Sequence, residues 1–123
     1  MLTLTVDSHE VDTLSCFTLI EEFVAKNGIP RRTKNALLSL FDELCIGMLL
    51  SRMESPLIKM MIEYGVDGHV TVNIDYNGDR FDIADSTDDI ALAIVKAFIA
   101  DMSYNYDADD RETPNHIKIS LVD

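Results

Sequence analysis

The chain has 123 residues, 47% of them apolar, and carries 22 Asp and Glu against 10 Lys and Arg, a formal charge of −12. That length and apolar content predict one domain over residues 1–123 and exclude a disordered chain. The charge disfavours nucleic acid and anionic membranes as partners, because Pro30-Arg31-Arg32 is the only local basic cluster.

The opening MLTLTVDSHEVD has neither the basic nor the apolar segment of a signal peptide, and no later run is long enough to span a bilayer. The expectation is a cytoplasmic protein in which Cys16 and Cys45 stay reduced. Leu2, Leu4 and Val6 alternate with Thr3 and Thr5, which predicts a short strand. Asp7 and Ser8 are candidate caps for a first helix. Val11, Leu14, Phe17, Ile20, Phe23 and Val24 are its buried face, and Asn27-Gly28 its end.

Thr33 to Met53 reads as a long helix, with Thr33 a candidate cap and Ser55-Pro56 the stop. Leu37, Leu40, Phe41, Leu44 and Met48 form an apolar stripe, widened by Leu38, Cys45, Leu49 and Leu50. Asp42, Glu43 and Gly47 interrupt it. Gly47 admits two readings: a trace of a ligand pocket, or a close contact between the helix and a strand.

Ile58–Tyr64 and Val70–Tyr76 alternate with period two around Gly65-Val66-Asp67-Gly68, which predicts a hairpin. Asn77-Gly78-Asp79 marks a turn, and Arg80–Ala84 a loop. Asp85 to Asp89 reads as the entry of a third helix. Its predicted stripe is Ile90, Ala91, Ile94, Val95, Phe98, Ile99 and Met102. A strand is expected from Tyr104, a polar loop over Asp107 to Pro114, and a last strand through Ile117, Ile119 and Leu121. One face of each strand is apolar and the other polar. The expected fold is therefore α+β: a two-layer α/β sandwich of about five mainly antiparallel strands with three helices on one face.

This order of parts resembles the GHKL ATPase superfamily, and within it the small bacterial anti-sigma-factor serine kinases. Phe41–Gly47 falls at that branch's asparagine box. Val70–Tyr76 with Asn77-Gly78-Asp79 falls at the strand entering its first glycine box, and Asp89-Ile90-Ala91-Leu92 at its second. The resemblance implies a glutamate that activates the attacking hydroxyl, an asparagine one turn later that holds magnesium, an aspartate that accepts from the adenine amino group, and glycines that cradle phosphates. Glu43 matches the glutamate. Gly47 stands at the asparagine, Tyr76 at the adenine aspartate, and Asp89 and Ala91 at glycines, while Gly78 is kept. A second alignment makes Asp85 the adenine aspartate, with Ser86-Thr87 in place of the glycine step.

A domain with those losses is expected to bind no cofactor. It would act as a regulatory module toward protein partners such as a sigma factor or its antagonist, with homodimers implied by the resemblance. The alternative is an active serine kinase using ATP and magnesium, with Glu43 as base. A third reading is an accessory domain of a longer chain. Asp85, Asp88 and Asp89 suit a helix N-terminus better than a metal cluster, and Met61 on the polar face of its strand marks a candidate partner surface.

Overall fold

The computed structural model describes residues 1–83, 93 and 96–121. Five strands form one sheet in the order β1-β2-β3-β5-β4, with every neighbour antiparallel. They are β1 (Leu2–Val6), β2 (Ile58–Tyr64), β3 (Val70–Tyr76), β4 (Ile99–Tyr106) and β5 (Asn115–Leu121). The register lays residues in rows across the sheet. Leu4, Met60, Ile74, Ile117 and Tyr104 make one inner row, and Leu2, Ile62, Val72, Ile119 and Met102 another. Thr5, Lys59, Asp75, His116 and Asn105 make an outer row. Alternation therefore separates a dry face from a wet one, with a break near the start of β4.

Two helices supply the second layer. The first, α1 (Thr13–Asn27), is capped by Asp12, whose carboxylate accepts from the Ser15 N–H at 3.2 Å. It ends at Gly28, in the left-handed conformation at φ 63°. Asp7 and Ser8 do not cap it, because the chain runs on to Asp12 before turning helical. The second, α2 (Arg31–Ser39), starts after Pro30, whose ring pre-sets an extended entry, so Thr33 lies buried inside the first turn instead of capping it. The same helix continues with π-helical winding over Leu40–Leu49 and tightens to a 3₁₀ turn over Leu50–Arg52. Its wide stripe is what the wider winding buries: Leu40, Phe41, Leu44, Cys45, Met48 and Leu49 all lie in the core. Phe17 of α1 meets Phe41 edge to face at 5.9 Å, a contact worth about 0.5–1.5 kcal/mol beyond its area.

Among the described residues there are two helices, not three. Most of the expected third helix, including Asp85, Asp88, Asp89 and Ala91, lies outside the described residues. The Ala97 N–H donates to the Ala93 carbonyl at 3.2 Å, one turn at helical spacing. The far end is corrected outright: Ile99 and Met102, expected on a helical stripe, belong to β4, which starts five residues before Tyr104. A register shift between Ile99 and Asp101 blurs the period-two pattern there, and a short apolar run without clean alternation is ambiguous between helix and strand.

Candidate functional site

A cleft of about 400 Å³ opens between the end of the second helix and the turn after β3. Leu49, Arg52 and Met53 form one wall, and Tyr76, Gly78 and Phe81 the other. The Arg52 guanidinium lies 3.5 Å over the Phe81 ring. Asn77 closes the cleft's end. Its side chain accepts from the Leu57 N–H at 2.9 Å and donates to the Ser55 carbonyl at 2.6 Å, so the segment after the helix is tied to the turn after β3.

Tyr76 is at the base. It ends β3 on the inner face, where its row neighbours are Ile58 and Asn115. Its side chain is only 1% exposed, and its hydroxyl donates to the Phe81 carbonyl. The ring is therefore packing, with the polar end satisfied at home. Burial pushes the phenol up, Tyr104 and Asp82 push the same way, and Arg52 opposes them.

The residue that organises this wall is Asn115, fully buried at 0% exposure. Its Oδ1 accepts from the Phe81 N–H at 3.2 Å and from the Tyr104 hydroxyl. Its Nδ2 lies 3.3 Å from the carbonyls of Tyr76, Asn77, Gly78 and Asp79. Two N–H bonds cannot serve four acceptors singly, so they are shared across a carbonyl-lined concavity. The chain can curl that tightly because Gly78 sits at φ 90°. Tyr104 closes the network. Its hydroxyl accepts from the Phe81 N–H at 3.1 Å, and burial pushes its phenol up, against the lowering effect of that bond and of Arg80.

The sequence-derived positions are only partly brought together. Tyr76 and Gly78 line the cleft; Glu43 and Gly47 do not. Glu43 is half-buried and Gly47 exposed on the π-helical stretch. A Cβ built on Gly47 would meet only the Asp42 carbonyl oxygen at 3.4 Å and Glu43 Oε2 at 4.0 Å. Among the described residues no strand comes within 4 Å of that Cβ, which corrects the reading of Gly47 as a close helix–strand contact. Asp85, Asp89 and Ala91 lie outside the described residues. Asn115 was missed by reasoning from sequence. Its one signal was parity, because it extends the inward series Ile117, Ile119, Leu121 by one step, and an amide at such a step must find partners.

The Tyr76 hydroxyl is committed to the Phe81 carbonyl, and Gly47 brings no side-chain oxygen to its helix. Among the described residues, no group of three His, Cys, Asp or Glu could hold a metal ion, and no helix is long and apolar enough to cross a membrane. No protein-family model matches the chain, and no curated protein matches it.

Proposed function

We propose that this chain is a non-catalytic, GHKL-like regulatory domain that works by binding protein, with the frame of an anti-sigma-factor kinase and without its nucleotide chemistry. The observation that carries the reading is Tyr76: the side chain at the adenine-acceptor position is buried packing, hydrogen-bonded to Phe81. The five-strand antiparallel sheet with two helices is compatible with the frame. The cofactor expectation stays none, with ATP and magnesium belonging to the kinase alternative. Partners of the sigma-factor or antagonist type, a cytoplasmic setting and a homodimer follow from the resemblance and are part of the proposal.

The surface best suited to a partner is the outer side of α1. Leu14, expected on the buried face, is instead 73% exposed and Leu19 44%, and with Asp12, Ser15 and Thr18 they line an open groove. Glu21 and Glu22 lie exposed beside it. Apolar anchors with an acidic surround suit a partner segment that is basic and amphipathic.

Thermal unfolding with and without excess Mg-ATP tests the reading. A ligand at 100 times its dissociation constant adds about 2.7 kcal/mol of stability. The proposal expects no shift. A clear rise that Glu43→Ala abolishes would replace it with the kinase.

A further inference from the structure

His116 lies on the outer face of β5, and both of its ring nitrogens meet carboxylates. Nδ1 is 2.7 Å from Asp75 Oδ1 on β3, and Nε2 is 3.3 Å from Asp110 Oδ2 in the loop between β4 and β5. All three side chains are partly buried. A neutral imidazole has one donor nitrogen and one acceptor nitrogen. In either tautomer, one lone pair would face an ionised carboxylate, and only the imidazolium donates to both. Asp110 has a second task. Its Oδ1 accepts from the N–H of Thr113 at 3.1 Å, and Thr113 is buried. The same loop is closed by the Asp107 N–H donating to the Pro114 carbonyl at 2.8 Å, and by the Asp110 N–H donating to the Asp107 carbonyl at 3.1 Å.

We propose that Asp75, His116 and Asp110 form a proton-operated latch that holds the β4–β5 loop against the outer face of the sheet. With both ring nitrogens protonated the latch is closed. When Nε2 gives up its proton, the Asp110 end opens, while the shorter Nδ1 bond to Asp75 keeps the ring in place. The Asp110 carboxylate then turns away from the Nε2 lone pair, and the buried Thr113 N–H loses its acceptor. The charged groups around the ring come from every neighbouring element. Asp75 is on β3, and Lys59, opposite it, is on β2; Asp110 and Glu112 are in the loop, and Lys118 is further along β5. β4 contributes only the uncharged Asn105. The loop also carries Asp107, Asp109 and Arg111; Lys59 is 3.8 Å from Glu112, while Asp110 is the loop acid that meets His116. This inference uses no residue of the cleft and stands whether or not the proposed function does. Its reach toward the cleft is through Asn115, the preceding residue, which holds the turn at 76–79.

The reporter is the Thr113 amide. Its hydrogen-exchange protection relative to the intrinsic rate is measured by NMR on the whole chain, between about pH 5.5 and about pH 8.5, which spans the histidine range. Protection is expected to fall on the order of tenfold as pH rises, the loss of one charge-assisted bond. His116→Gln, which cannot titrate, should show no such step. Ring nitrogen shifts should show the proton leaving Nε2 while Nδ1 keeps its own. A flat wild-type profile overturns the latch by itself, and so does a step that persists in His116→Gln.

Discussion

Replacing Tyr76 with Phe removes one oxygen from the floor of the cleft and nothing else. That oxygen donates to the Phe81 carbonyl in a place with almost no access to water. A buried acceptor left unpaired costs about 1–3 kcal/mol. The Phe81 N–H keeps its bonds to Tyr104 and Asn115, so the loop stays anchored and the lower half of that range applies. Tyr76→Ala also removes a ring packed among Ile58 and Asn115 and should cost about 3–5 kcal/mol. Urea unfolding gives both values from the midpoints, provided the slope is unchanged. The sign with pH is fixed as well. The phenol's folded-state affinity for its proton is raised above the ordinary 10.0, so the stability it contributes is present below pH 10 and is lost as pH rises beyond it. The gap between wild type and Tyr76→Phe should therefore narrow above pH 10. If Tyr76→Phe lies within about 0.3 kcal/mol of wild type and Tyr76→Ala costs less than about 2 kcal/mol, the ring is not a packed plug. The reading of the cleft as filled at that position would then fail.

Gly47→Ala should stabilise the protein by roughly 0.5–1 kcal/mol in thermal or urea unfolding, because the added methyl meets only ordinary contacts and helical glycine is entropically costly. Asn115→Ala should cost about 3 kcal/mol or more by the same assays, since it takes the shared donor from the carbonyls of Tyr76, Asn77, Gly78 and Asp79 and leaves the Phe81 N–H with Tyr104 alone. Gly78→Ala should cost about 1–2 kcal/mol, as φ 90° suits glycine alone. Cys45 is pushed up to about 12 by burial, with Cys16 adding to it, so its contribution is whole below pH 9.0 and lost between pH 9.0 and 12. Cys45→Ala should decline less steeply with pH over that window.

Residues whose environment is set by their immediate neighbours are legible in the sequence. The hairpin Ile58–Tyr76 was readable because period-two alternation flanks a glycine-bounded turn, and the observed strands match it end for end. The inner face of β5 was readable for the same reason. The start of β4 was not. Ile99 and Met102 sit three apart, a helical spacing, and only pairing with Leu121 and Ile119 makes them strand. The candidate site was legible in part. Tyr76 and Gly78 line the cleft, whereas Glu43 and Gly47 stand apart from it on the π-helical stretch.

The sequence by itself determined which side of β1, β2, β3 and β5 is dry, where α1 ends, and that Gly47 brings no side-chain ligand atom to its helix. Those are matters of local period, of glycine's conformational freedom and of residue chemistry, none of which needs a distant partner. Only the tertiary structure decided that Tyr76 spends its hydroxyl on Phe81, that one buried amide at Asn115 gathers the turn after β3, and that His116 meets two carboxylates from different segments. Each of these joins residues distant along the chain. A side chain's hydrogen-bond partners depend on what the sheet register brings beside it, and the sequence writes that register only one strand at a time.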